Sequence, residues 1–454
     1  MRYIVKPILD LARDLRAGAV TSRKLVEEAL ERIEDPVGEG SRTFITVWKS
    51  RARATADHID KFQLWRDSDA VLCGIPISVK DVFDIAGEIT RAGSIAREDE
   101  PAAAADAAAV TALRRAGAIL IGRTTMSEFA FSGIGLNRHF GTPLNPWDRA
   151  TQRIAGGSSS GSAVSVSDGM AAAALASDTG GSIRAPAALC GLTGFKPTAG
   201  RVSLKGVFPR SYSLDTAGPM GRSVLCCTAL DKALSGAARL DLDAGPARAP
   251  LRLGVVTGEP LERLSPAVSE AFVSALRTLS QAGIPIIDFA MPEIARIRAV
   301  TGGGGISPPE AYSIHKRLVE ESPDLLDPIF LARLLKGRDV RASDYIEALR
   351  ARKDIQKSAR ETTRPFDAIL MPTCPVDAPP IADVQTPAAF EAVSSLILRN
   401  CNLANFLDRP AITLPIHRPG DAPVGLMLVG AHDRDADLLA VAQSVEHILA
   451  SDRL

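Results

Sequence analysis

The sequence predicts an α/β protein built on a large mixed, mostly parallel sheet with helices covering both faces. Two observations carry that expectation. Segments of helical periodicity alternate with short apolar runs of β character, once between residues 106 and 122 and again between 251 and 289. Gly117 and Gly283 stand where the helical part of each unit ends, as stop signals. Short alternating units of this kind bury their apolar faces most economically as helices laid on a sheet.

Thr21 and Ser22 precede a segment whose apolar positions Leu25, Val26, Ala29, Leu30 and Ile33 follow helical spacing, which predicts an amphipathic helix with a hydroxyl cap. A second helix is expected from about 52 to 62, and the segment from Val71 to Val79 then turns apolar and reads as the first strand. From Asp106 to Ala116 the pattern is helical and alanine-rich, and 118–122 resumes as a strand. Later come a strand over 251–256, a helix over 265–281 and a strand over 284–289. Strands also fit 366–371, 411–415 and 424–430, and a helix fits about 435–449. Between Arg298 and Asp344 the pattern weakens, and Gly302 to Gly305 with Pro308 and Pro309 mark a variable excursion, about 298–350, from a single domain spanning 1–454.

Composition narrows the function classes. Lys plus Arg equals Asp plus Glu at 53 each, so no global field recruits nucleic acid or an anionic membrane. A hydrophobic share of 46% with 23% charged residues fits a globular chain with a deep core. The first residues lack the apolar run of a signal peptide, and no window approaches about 18 uncharged apolar residues, so a soluble cytoplasmic protein is expected. Cys73, Cys190, Cys226, Cys227, Cys374 and Cys401 are scattered, and the histidines share no metal-ligand spacing with them. The expectation is buried free thiols, no disulfide, no metal and no cofactor.

Three stretches carry chemistry. Gly156 to Ser162 (GGSSSGS) and Ser177 to Pro186 (SDTGGSIRAP) are serine- and glycine-rich turns, and Gly74 to Asp81 (GIPISVKD) ends an apolar run on Lys80. A lysine acts as a base only when neutral, so Lys80 would need its pKa brought from about 10.4 to 7 or 8, roughly 4 kcal/mol of burial cost. Taken alone, Lys80 reads first as a surface lysine at a strand end. Ser158 to Ser160 between Gly157 and Gly161 also match a nucleophile elbow, but the preceding 148–155 is too polar to be its strand, and no G-K-[ST] makes a phosphate loop. Gly180 and Gly181 allow consecutive N–H groups to reach one oxygen, as an oxyanion site requires.

In this order and context Lys80, Ser158 and Ser182 resemble the amidase signature family. The resemblance is strongest over about 70–222, continuing through Cys190 to Thr198 and Ser213 to Met220, and more weakly through 369–375 and 424–430. It implies a carboxamide hydrolase that uses Ser182 as nucleophile, Ser158 as proton relay and neutral Lys80 as ultimate base, through a seryl acyl-enzyme. It further implies an oxyanion hole of the Thr179, Gly180, Gly181 and Ser182 N–H groups and a cis peptide before Ser158. Ala155, Ser160 and Thr125 depart from the proline, glycine and asparagine usual in the family.

Substrate residues stay open at this level. Arg184 either reads a substrate carboxylate or pairs with Asp178 or Asp215, and Met126, Phe129 and Tyr212 either line the acyl pocket or pack in the core. The partner implied is a small-molecule amide, with neither nucleic acid nor membrane, and a homodimer is allowed. Beside the hydrolase stand three alternatives: the amidase subunit of a tRNA-dependent amidotransferase, a hydrolase of allophanate-like carbamoyl compounds, and a catalytically silent binding scaffold.

Overall fold

The computed structural model describes residues 3–66, 71–236, 251–302 and 304–451, so Gly303 of the expected glycine-rich loop lies outside the described residues. Among the described residues there are eleven strands: β1 (Phe44–Val47), β2 (Pro76–Lys80), β3 (Ile119–Thr124), β4 (Ala173–Asp178), β5 (Thr193–Lys196), β6 (Thr216–Gly221), β7 (Leu253–Thr257), β8 (Ile286–Ala290), β9 (Ala368–Pro372), β10 (Ala411–Pro415) and β11 (Gly425–Val429). They form one sheet in the order β1-β3-β2-β4-β6-β5-β10-β11-β9-β7-β8.

The sheet is mixed, as expected, but the expected parallel majority is not found. Four pairings are parallel, β2–β3, β2–β4, β7–β8 and β7–β9. Six are antiparallel, β1–β3, β4–β6, β5–β6, β5–β10, β10–β11 and β9–β11. The helix–strand units recognised in the sequence do give parallel neighbours, because each crossover helix returns the chain to the same end of the sheet. The centre is instead built from strands that reverse direction, such as β10 and β11, and apolar periodicity carries no record of direction.

Why the strands read as continuous apolar runs is visible in their neighbours. Ile369 and Met371 of β9 and Met427 and Val429 of β11 face one apolar cluster with Ile297, Ile355 and Leu403, which come from helices of the 293–406 region. The alternate residues Ala368, Leu370, Leu426 and Leu428 face a second cluster with Phe272, Leu279, Leu438 and Val445 from the helices Pro266–Gln281 and Asp435–Ser451. A strand covered on both faces loses the polar alternation of a half-exposed one.

The amphipathic helix begins at Ser22, and Thr21 caps it by accepting the Lys24 N–H at 3.1 Å. The first strand is shorter than expected. Gly74, at φ +79°, turns the chain there and donates its N–H to Gly117 O at 3.0 Å, so regular pairing starts only at Pro76. The excursion holds the helices Ser307–Glu321 and Pro328–Leu335 and the first part of Ala342–Thr363, which runs on past its expected end.

Candidate active site

The parallel trio β3, β2 and β4 delivers its carboxyl ends to one edge of the sheet, the usual place for chemistry in such sheets. Lys80 is the last residue of β2 and Asp178 the last of β4. Ser158 and Ser159 lead into the helix Ser160–Ser167, and Ser182 lies just before the helix Arg184–Leu189. Polar residues at the ends of buried strands are thus carried inside without interrupting the ladders.

The Ser158 turn depends on its glycines. A Cβ on Gly157 would lie 2.7 Å from both Gly135 N and Ser132 O, closer than any real side chain tolerates. The Gly157–Ser158 peptide is cis, as the resemblance implies, with Ala155 and Ser160 accommodated in buried positions. Gly157 N–H donates to Gly133 O at 2.8 Å, and Ser158 O accepts Ser127 N–H at 3.0 Å. Ser159 Oγ donates to Ser177 O at 3.4 Å, which joins the two serine-rich turns.

Lys80 is fully buried. Its Nζ lies 2.7 Å from Ser158 Oγ and 2.9 Å from Ser177 Oγ. Burial pushes its pKa down to about 7 against the raising pull of Asp178 and Asp215, and the Arg210 charge works with burial. Ser177 is the residue that sequence reasoning left out. Its place beside Asp178 in the second turn is the signal that could have found it.

Ser182 Oγ is buried and has no hydrogen-bond partner among the described residues. An orphaned hydroxyl in a packed interior is costly, and it leaves both proton and lone pairs free for a reacting group. Around it the turn is held by Asp178, whose carboxylate accepts the N–H groups of Gly181 at 2.7 Å and Ile183 at 3.0 Å and the amide of Asn405 at 2.9 Å. Burial alone would raise the Asp178 pKa, but the Arg184 charge, hydrogen bonds from Arg184 and Asn405, and the Lys196 charge hold it well below the usual carboxylate range.

That network corrects the expected oxyanion set. The Gly181 N–H is committed to Asp178, so it is not free to receive a substrate oxygen. The N–H groups of Thr179, Gly180 and Ser182 have no partner among the described residues. Gly181, at φ +130°, could carry a side chain only if its surroundings shifted, because its Cβ would sit 2.5 Å from Cys401 Cβ. Thr179 Oγ1 donates to Asp215 at 2.5 Å, which ties the turn to the strand that follows.

The substrate residues need two corrections. Arg184 is fully buried and pairs with Asp178 through Nε and Nη2 at 3.1 and 3.0 Å. Its remaining donors go to Cys401 O, Met427 Sδ and Asn405 Oδ1, which leaves none for a substrate carboxylate. Tyr212 is 72% exposed. Ser211 and Ser213 both donate to Glu310, so the residue between them is turned outward. Met126 and Phe129 pack in the core, and the Phe129 ring lies 4.4 Å from His315 and 5.0 Å from Phe330.

Among the described residues no group of three His, Cys, Asp or Glu side chains is placed to hold a metal ion. All six cysteines are buried, and no described helix is long and apolar enough to cross a membrane.

Comparisons with known proteins show the family and the fold. The family model for Amidase matches residues 24–439. The chain is 34% identical over 416 residues to the 2-amino-5-chloromuconic acid deaminase of Comamonas testosteroni, covering 88% of this chain and 87% of that protein. It is 32% identical over 477 residues to a glutamyl-tRNA(Gln) amidotransferase subunit of Chromohalobacter salexigens, covering 97% and 96%. A solved amidase structure superposes with a TM-score of 0.85 at 32% identity over 97% of this chain and 99% of that one.

Proposed function

The chain belongs to the amidase family, and from that premise we propose that it hydrolyses a small carboxamide to a carboxylate and ammonia or an amine through an acyl ester on Ser182. The observation that carries the reading is the buried Lys80 amine, poised near neutrality, 2.7 Å from the Ser158 hydroxyl. Ser182 Oγ attacks the amide carbon while its proton passes to Ser158 and the Ser158 proton to Lys80. The carbonyl oxygen becomes an oxyanion, held by the N–H groups of Thr179, Gly180 and Ser182. Collapse breaks the C–N bond, and Lys80 returns a proton through Ser158 to the leaving nitrogen. Water then enters by the same relay, cleaves the ester and restores Ser182. Ser177 positions the Lys80 amine.

A panel of amides assayed for ammonia release tests this, with Ser182→Ala and Lys80→Ala as controls. Wild type should turn over at least one amide, Ser182→Ala should lose the activity, and a fluorophosphonate should label Ser182. Equal rates for wild type and Ser182→Ala would remove the nucleophile from the scheme. The match over 97% of the chain to an amidotransferase component favours a second reading, in which the released ammonia passes to a partner protein. Activity that appears only when a partner is added would select it.

A further inference from the structure

Arg210 stands on the segment that leads into β6. Its own N–H and that of Ser211 donate to Asp215 at 2.8 and 3.0 Å, and Asp215 in turn accepts Thr179 Oγ1. The backbone carrying this guanidinium is therefore fastened to the turn that holds Ser182. The guanidinium itself is poorly used. Nη1 donates to Ala130 O at 3.0 Å, Nε is buried without a partner, and no ion pair is formed among the described residues. A half-buried cation lacking a counter-ion gives up hydration without recovering a charge partner.

The side chains against it are an aromatic ring and further arginines, while Asp215 and Asp178 act on it through space without a direct ion pair. Arg210 lies 4.7 Å from the centre of the Phe131 ring, and Arg333 lies 5.5 Å from the same ring. Arg333 has Glu391 at 3.3 Å and Arg97 has Glu100 at 4.0 Å, whereas Arg210 has no equivalent. Close by, the His315 ring is packed among Phe129, Phe208 and Phe330 with both nitrogens buried and unpartnered. Burial and the Arg97 and Arg210 charges hold His315 neutral, down to about 3, so it does not supply the missing anion.

We propose that Arg210 is the substrate-reading residue, and that the substrate is a carboxamide carrying a free carboxylate which pairs with the Arg210 guanidinium while the amide meets Ser182. This deepens the hydrolase reading and rests on it. The carboxylate accepts from the orphaned Nε and the remaining Nη in the side-on geometry that suits a planar guanidinium. Phe131 lies against the guanidinium, 4.7 Å from ring centre to Cζ.

The test compares the monoamides malonamate, succinamate and glutaramate with their neutral diamides, which are nearly isosteric, in wild type, Arg210→Leu and Arg210→Lys. Wild type should favour the monoamide at one chain length at least 10-fold in kcat/KM. Arg210→Leu should reduce that ratio about 10- to 100-fold, and Arg210→Lys should restore part of it. An Arg210 that acts only through its field on Lys80 would lower both substrates alike, and that result overturns the proposal.

A second readout needs neither turnover nor the leucine variant. Malonate, succinate or glutarate at constant ionic strength should protect Ser182 from a fluorophosphonate and raise the melting temperature of wild type more than that of Arg210→Lys. Neutral amides hydrolysed without anion preference or dicarboxylate protection would refute the Arg210 assignment and leave the hydrolase reading standing. Absence of both amide turnover and Ser182 labelling would remove the hydrolase reading itself, and the dicarboxylate melting shift would still decide whether Arg210 binds an anion.

Discussion

In the proposed mechanism one buried amine sets the pH response, and the same amine sets part of the stability of this protein. Lys80 must be neutral to accept a proton, and burial puts its pKa at about 7, so kcat/KM should rise through an acid limb centred near 7. A rate independent of pH between 5 and 9 would exclude Lys80 as the base. The stability effect follows by linkage. Between about 7 and 10.5 the unfolded chain holds the Lys80 proton and the native state does not, so the unfolded state binds more protons and stability rises with pH across that window. The shift corresponds to roughly 4 to 5 kcal/mol against folding at neutral pH and below. Lys80→Met should therefore be inactive yet melt higher than wild type at pH 7, with the gap narrowing as pH approaches 10. Lys196, also pushed down to about 8 by burial, adds a similar slope to both proteins and cancels in the difference. A variant that melts lower than wild type at pH 7 would show that the contacts of Lys80 with Ser158 and Ser177 outweigh its burial cost.

The proposed catalysis depends on the turn between β4 and the helix Arg184–Leu189, whose glycines are not interchangeable with others. Gly181→Ala combines a φ of +130° with a Cβ 2.5 Å from Cys401 Cβ and 2.9 Å from Leu398 Cδ2. It should cost about 1 to 3 kcal/mol of stability and, by moving the N–H groups on either side, on the order of 100-fold in kcat. Gly200→Ala is the control: φ is +83°, but nothing lies within 4 Å of the added Cβ. It should cost about 1 kcal/mol with kcat retained. Equal kcat for the two variants would detach the Gly181 geometry from catalysis.

The turn also marks what was legible in the sequence. Lys80, Ser158 and Ser182 stood out through their order and context, which resemble the amidase signature family, since each stretch alone has an ordinary structural use. The commitment of Gly181 N–H to Asp178 did not, because it requires Asn405 and Arg184 to fix that carboxylate, and Asn405 is 227 residues away. Strand β4 (AALASD) was equally hidden, since alanine and serine carry little β signature even where every residue is buried. The helix–strand units were readable from period and stop signals, whereas strand direction is decided by connections and packing partners far along the chain.

At the scale of the whole molecule, the sheet joins the two halves of the chain directly rather than through a linker. Strand β5 pairs with β10 from Ala411–Lys196 to Thr413–Gly194, so separating residues 1–236 from the remainder would strip a backbone ladder at the centre of the sheet. Buried polar ties cross the same line. Asn405 joins Arg184 at 2.6 Å and Asp178 at 2.9 Å, and Asp435 receives Thr198 N–H at 2.8 Å and Thr198 Oγ1 at 2.7 Å. Releasing the C-terminal half would leave the Asp178–Arg184 pair short of its amide partner and expose the apolar clusters on both sheet faces, a far larger cost than a domain hinge carries. The chain should accordingly unfold as one cooperative unit in urea. Its tryptophans, Trp48, Trp65 and Trp147, all lie in the first third of the sequence, so fluorescence follows the N-terminal half while far-UV circular dichroism follows every element. The two midpoints should coincide, and amide hydrolysis should fail at the same urea concentration, because the oxyanion turn depends on Asn405. A dichroism loss that precedes the fluorescence change with hydrolysis intact would instead make the C-terminal half a separate unit on which the site does not depend.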